Sequence, residues 1–167
     1  MKLITEEKYI QLIEDLEIKV GDTIFVHSDL MHLGIPENGA KMYLDILKKK
    51  IGKTGNIIAP AFNFNFMETG QYDYKKSPPV MMGFIASLMF QSNEALRSRH
   101  PMQSILCEGP LSAKLCNIVT RSAYAKEGVF NFLKNSNCKI LLLGARGEHI
   151  SFSHLVEESL SVPYQNY

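Results

Sequence analysis

Apolar and polar positions in this chain fall into two alternating periods, and the changes of period mark out its elements. Tyr9, Leu12, Ile13 and Leu16 recur at i, i+3, i+4 and i+7, the spacing of one buried helical face. Thr5 is the expected cap of that helix, and Glu6 and Glu7 place negative charge at the positive end of its dipole. After the Gly21-Asp22 turn, Thr23 to Val26 is β-branched and aromatic, which predicts a strand stopping at His27-Ser28-Asp29. Helical spacing returns beyond Asn38 with Ala40, Tyr43, Leu44, Leu47 and Ile51 on one face. Lys48, Lys49 and Lys50 crowd the last turn before Gly52, where they are expected as a solvated terminus suited to the dipole.

Asn56 to Ala59, closed by Pro60, predicts a second strand, so helices and strands alternate as in an α/β sheet. Phe62 to Pro79 breaks the pattern with Phe64, Phe66, Tyr72 and Tyr74 set among polar residues and Gly70. That stretch is expected to be a lid or binding loop over a channel, with a homodimer contact through its aromatics as the alternative. Met82 to Gln91 predicts a short buried helix, Arg97 to Pro101 a loop, Ser104 to Glu108 a strand, Pro110 to Asn117 a helix, and Gly128 to Leu133 the start of another. Ile140 to Leu143 is an unbroken apolar run ending at Gly144, the pattern of a strand buried on both faces. Ligands of open α/β sheets sit beyond the carboxyl ends of such strands. The loop there delivers Ser151, Ser153, His154 and Glu157.

Composition narrows the function classes. The chain has 167 residues, no internal repeat and no linker, which fits one domain over residues 1–167. With 18 basic against 17 acidic residues the net charge is +1, so neither nucleic acid nor an anionic membrane is expected as partner. Cys107, Cys116 and Cys138 are odd in number and lack CxxC spacing, and read as reduced, buried thiols. No signal peptide pattern opens the chain at Met1 to Leu16, and the expectation is a soluble cytoplasmic protein.

Three stretches could carry chemistry. His154 and Glu157 lie three apart, on one face of a helix capped by Ser151 or Ser153, where the carboxylate would orient an imidazole acting as general base. An incidental ion pair at the edge of the core has the same spacing. His27-Ser28-Asp29-Leu30 at a strand end could present N–H groups and a hydroxyl to phosphate or carbonyl oxygens, or form an ordinary Asx turn. Arg97 and Arg99 around Ser98 could grip a phosphate or be a solvated loop. No metal site is expected, since His27/His32 and His149/His154 are spaced by five instead of the four of a helical ligand pair. No serine stands in a Gly-x-Ser-x-Gly elbow.

Taken in order, Gly21 to Leu30 with Leu33-Gly34, Asn56 to Phe62, Met82-Gly83, Arg97-Ser-Arg-His-Pro101 with Ser104, Gly128-Val129, Leu141 to Gly144 and Ser151-Phe-Ser-His-Leu-Val-Glu157 form a recognisable series. The chain resembles the aminoglycoside 3-N-acetyltransferase family, antibiotic acetyltransferases unrelated in fold to the GNAT enzymes. The resemblance implies an α/β/α layered sheet, acetyl-CoA as cosubstrate, and transfer of an acetyl group to an amine of an aminoglycoside or related amino sugar. By the same resemblance His27, Ser28, Asp29 and Leu30 would hold the pantetheine or pyrophosphate arm, with Phe62 and Ser104 along the same channel. His154 would deprotonate the amine and Glu157 would orient it, with no acyl-enzyme. Asp29 stands where the family usually has a second serine, and a carboxylate beside a phosphate repels it unless it turns away. Family members continue past the element that here is Val162-Pro163-Tyr164, so the resemblance implies a chain lacking the family's C-terminal portion, which supplies much of the acceptor pocket. Acyl transfer to a sugar-nucleotide or polysaccharide amine, or CoA binding without catalysis, are the alternatives.

Overall fold

The structure is a computed structural model describing residues 3–160, 162 and 163; Met1, Lys2 and Tyr164, the last belonging to the Val-Pro-Tyr element, lie outside the described residues. Thr5 caps α1 (Glu6–Asp15) as the sequence predicts, its side chain accepting from the Lys8 N–H. Two short strands, β1 (Leu3–Ile4) and β3 (Ile35–Pro36), pair in parallel outside the main sheet. The main sheet holds β2 (Thr23–Ser28), β4 (Asn56–Pro60), β5 (Leu96–Arg97), β6 (Ile105–Glu108) and β7 (Lys139–Leu143) in the order β5-β6-β4-β2-β7. β2 is parallel to both β4 and β7, whereas β6 runs antiparallel to β4 and β5 antiparallel to β6.

Side chains alternate across this sheet, and each face has its own core. Ile24, Val26, Ile57, Ala59, Leu106, Leu141 and Leu143 join a cluster with α1, α3 (Lys41–Ile51) and α5 (Phe84–Ser92). Phe25, Ile58, Ile105 and Cys107 face the opposite cluster with residues of α6 (Ser112–Cys116), α7 (Val129–Asn135) and α8 (Ser153–Ser159). The period of two thus sends successive residues of one strand to helices on opposite sides, the α/β/α arrangement. Tyr9 of α1 meets Tyr43 of α3 edge to face at 4.6 Å, which joins the two helices on the first side.

Several sequence expectations change here. On α1 only Tyr9 and Ile13 are buried; Leu12 and Leu16 are 40% and 46% exposed, because the helix meets α3 along a narrower stripe than its apolar pattern suggests. β7 is an edge strand, paired with β2 alone among the described residues, and Ile140 is 40% exposed instead of buried on both faces. Lys48 is not a solvated terminus: its ammonium reaches Glu94 at 2.9 Å and Glu108 at 2.7 Å. The stretch from Phe62 to Pro79 contains a short helix, α4 (Asn65–Thr69), and Leu96–Arg97 pairs as β5 where a loop was expected. Among the described residues no helix is long and apolar enough to cross a membrane.

Candidate active site

β2 lies between strands that the chain reaches in opposite directions, β4 next in sequence among the sheet strands and β7 last. Such a reversal leaves a crevice at the carboxyl ends of the strands. A cavity of about 620 Å³ opens there, ordinary for a small-molecule site. His27, Ser28, Asp29 and Leu30 enter it from the end of β2, Pro60 and Phe62 from the end of β4, and Ala145, Ser151 and His154 from the chain beyond β7.

Each group at the end of β2 has a definite task. Ser28 is buried, and its Oγ accepts the Ile85 N–H at 3.0 Å, in the first turn of α5. This contact requires Gly83, the residue preceding α5, to lie against the strand: a Cβ there would stand 2.0 Å from the Ser28 carbonyl oxygen. Gly83 also has φ +85°, a conformation that side chains rarely adopt. The Asp29 carboxylate caps α2 (Leu30–Leu33) by accepting the Met31 N–H at 2.9 Å, and its other oxygen meets His32 Nδ1 at 2.7 Å. The Asp29 carboxylate is therefore engaged by the α2 turn, and these bonds, the one to His32 foremost, hold it below its ordinary pKa.

His27 is buried, and its Nε2 accepts the Ser151 N–H at 3.4 Å, so the ring proton resides on Nδ1. Burial, with a further contribution from nearby His149, lowers its pKa to about 4, and the imidazole is neutral at pH 7. This neutral ring ties β2 to the turn that leads into α8, the helix carrying His154.

α8 begins differently from the sequence expectation. Neither Ser151 nor Ser153 caps it; Phe152 occupies that position and the Ser153 hydroxyl donates to the Ile150 carbonyl at 2.9 Å. Phe152 instead anchors the helix by packing edge to face on Phe25 and Phe130, at 5.3 and 5.2 Å, and Leu155 is buried in the same cluster. The i, i+3 pair does form: His154 Nδ1 and Glu157 Oε2 are 2.7 Å apart. Tyr124 lies beside the imidazole with ring centroids 5.5 Å apart. His154 lines the cavity while its side chain stays 51% exposed, which leaves it accessible to an incoming molecule.

Of the residues expected at the site, His27, Ser28, Asp29, Leu30, Phe62 and His154 line one cavity, and Glu157 stands behind His154 as its hydrogen-bond partner. Ser104 does not reach it. It is 0% exposed, its hydroxyl donates to the Ala61 carbonyl at 2.7 Å, and it accepts from Arg97 Nε at 3.0 Å. Arg97 is likewise buried and grips carbonyls, not a phosphate. The cavity also includes Glu148, His149, Met81 and Met82, which sequence reasoning did not assign. For the first two, their position just beyond a strand leading into the site was the available signal. The cysteines offer no nucleophile: burial raises all three thiols, Cys116 and Cys138 to about 12.

A family model described as aminoglycoside 3-N-acetyltransferase matches residues 25–167. The chain belongs to that family. Aminoglycoside N(3)-acetyltransferase III of Serratia marcescens is 25% identical over 167 residues, covering 89% of this chain and 62% of the relative. A Salmonella enzyme of the same name is 25% identical over 182 residues, covering 98% and 63%. Among solved structures, YokD protein from Bacillus subtilis superposes with TM-score 0.85 at 24% identity over 97% of this chain and 72% of that one. The AAC-IIIb binary complex with CoASH gives 0.83 at 19% identity over 94% and 65%. These structural likenesses establish the fold. The chain spans a little over three fifths of the length of these curated relatives, 62% and 63%.

Proposed function

We propose that the chain is an acetyl-CoA-dependent N-acetyltransferase, or the catalytic part of one, acting on an amine of an aminoglycoside or related amino sugar. The observation that carries this reading is the His154–Glu157 pair, 2.7 Å apart, on the rim of a cavity at the carboxyl end of β2. Family membership and the CoASH complex of AAC-IIIb support it.

The residues fit an acyl-CoA arm in two respects. Leu30, Phe62, Phe64, Met81 and Met82 give the cavity apolar walls suited to the alkyl and amide units of pantetheine. Gly83 lets the start of α5 approach the end of β2 without a side chain between them. Acetyl-CoA supplies an activated acyl group, and the protein's part is to position an amine and manage its proton. With Nδ1 held by Glu157, His154 Nε2 is the nitrogen available to take the proton that the amine loses as it bonds to the acyl carbon. Glu157 stabilises the resulting imidazolium, the carbon–sulfur bond breaks, and the imidazolium's proton passes to the departing thiolate, so that CoA leaves as the thiol and His154 returns to its neutral form. His27, neutral and committed to Ser151, is a scaffold in this scheme and does not compete as a base.

A second reading, CoA binding without transfer, has one observation in its favour: His154 is half exposed. Acetyl-CoA with a panel of amino sugars separates the two by free-thiol release. Acceptor-dependent release is expected. CoA binding by calorimetry with no release for any acceptor would select the second reading, and absence of both would discard the first and the second together.

A further inference from the structure

Arg97 carries a charge where a charge is costly. It is 7% exposed, burial lowers its pKa, and among the described residues no carboxylate pairs with it. Desolvated guanidinium groups persist only when every face is occupied. Here Nε donates to Ser104 Oγ at 3.0 Å, Nη2 to the Ala61 carbonyl, and Nη1 to the carbonyls of Ser77 and, at 3.5 Å, Tyr74. The rings of Tyr72 and Phe90 lie 5.3 and 5.5 Å from its central carbon.

These partners are not scattered. Ala61 follows the last residue of β4, and Tyr74 and Ser77 belong to the segment that leaves it and returns to α5. The segment is closed at its base by the Val80 N–H donating to the Phe62 carbonyl at 3.0 Å and by Asn63 Nδ2 donating to Pro78 at 3.1 Å. Its two stems present Phe62 and Phe64 on one side, and Met81, Met82 and Gly83 on the other, to the candidate active site. Arg97 itself lies outside that cavity, reaching the segment from β5. One planar fork thus joins the end of a sheet strand to the middle of the segment whose stems form a wall of the site.

We propose that Arg97 is a positioning residue that sets the placement of this wall, and hence the affinity of the cavity for an acyl-CoA arm. The proposal rests on the reading of the cavity as the acyl-CoA site. It reassigns Ser104 from the channel to the support of Arg97: its hydroxyl accepts from Nε and donates to Ala61, completing a closed set of bonds at the base of the segment. Lysine retains the charge but has no planar fork to engage Ala61 and Ser77 together.

The test compares wild type, Arg97→Lys and Ser104→Ala by CoA calorimetry, steady-state kinetics and backbone amide exchange. Arg97→Lys should weaken CoA binding and raise the acetyl-CoA KM about tenfold, with kcat kept within about threefold, since the lost contacts are charged hydrogen bonds remote from His154. Amides of Tyr72 to Ser77 should exchange faster while those of β2 and β4 do not. Ser104→Ala should shift the same quantities in the same direction by a smaller factor, and decides the matter if Arg97→Lys does not fold. Unchanged affinity and exchange, or a loss in kcat with KM and affinity intact, would overturn the proposal. A wild type that binds no CoA removes the functional reading instead; the exchange pattern then still shows whether Arg97 holds the wall.

Discussion

Gly83→Ala tests the packing that creates the site. The new Cβ would stand 2.0 Å from the Ser28 carbonyl oxygen and 2.7 Å from Ser28 Oγ. Carbon and oxygen ordinarily approach no closer than about 3.3 Å, so the overlap exceeds an ångström. Ser28 cannot retreat, because it pairs with Leu143 of β7 and the next residue's N–H donates to the Leu143 carbonyl at 2.8 Å. The start of α5 must move instead, and with it goes the bond from the Ile85 N–H to Ser28 Oγ. The backbone at Gly83, φ 85° and ψ 171°, adds its own strain of about 1–3 kcal/mol for a residue with a side chain. Overpacking adds about 1–3 kcal/mol more, for a total of roughly 2–6 kcal/mol. Against the roughly 5–15 kcal/mol stability of a typical domain that is a large fraction. Urea unfolding followed by circular dichroism should show the midpoint falling with the slope unchanged. A loss below about 1 kcal/mol would refute the reasoning, since it would mean that the close approach of α5 to β2 is not rigid.

Glu157→Gln preserves a hydrogen-bonding partner for His154 but removes the charge that, in the proposed transfer, stabilises the imidazolium. Acetyl transfer should fall about ten- to a hundredfold with CoA affinity unchanged; an unaltered rate in the thiol assay would remove Glu157 from the scheme. His27 predicts a pH dependence of stability. Its folded pKa, about 4, lies below the ordinary 6.5, so between those values the unfolded chain binds a proton that the native state refuses. Stability from this group is therefore complete above pH 6.5 and is lost as the pH falls towards 4, by at most about 3 kcal/mol. The difference in unfolding free energy between wild type and His27→Leu should vary across that window with this sign, and a difference independent of pH would contradict the buried, neutral ring.

What the sequence disclosed and what it hid have physical reasons. Local geometry was legible: the i, i+3 spacing of His154 and Glu157 gives a 2.7 Å contact, and the β-branched run before His27 ends as a strand at the site. Pairings between distant segments were not. The apolar run of β7 reads the same at the edge of a sheet as at its centre, and only the strand order reveals Ile140 as exposed. Arg97 and Ser104 are polar residues seven apart around a loop, a pattern that suits a phosphate grip as well as a buried staple. The carbonyls that decide the matter come from Ala61, Tyr74 and Ser77, far away in the chain. Lys48 shows the same limit, since Glu94 and Glu108 come to it from outside its helix. The Asp29 carboxylate illustrates the reverse case: local turn chemistry, readable in principle from Asp29 to His32, occupies it.

The central claim is that His154 is the base serving a cavity that binds acyl-CoA by other residues. His154→Ala, assayed for acceptor-dependent thiol release and for CoA affinity by calorimetry, separates the two roles. The account predicts that transfer falls by about a hundredfold or more while the CoA dissociation constant stays within about twofold. A rate equal to wild type would contradict it, as would a loss of CoA binding large enough to explain the lost transfer.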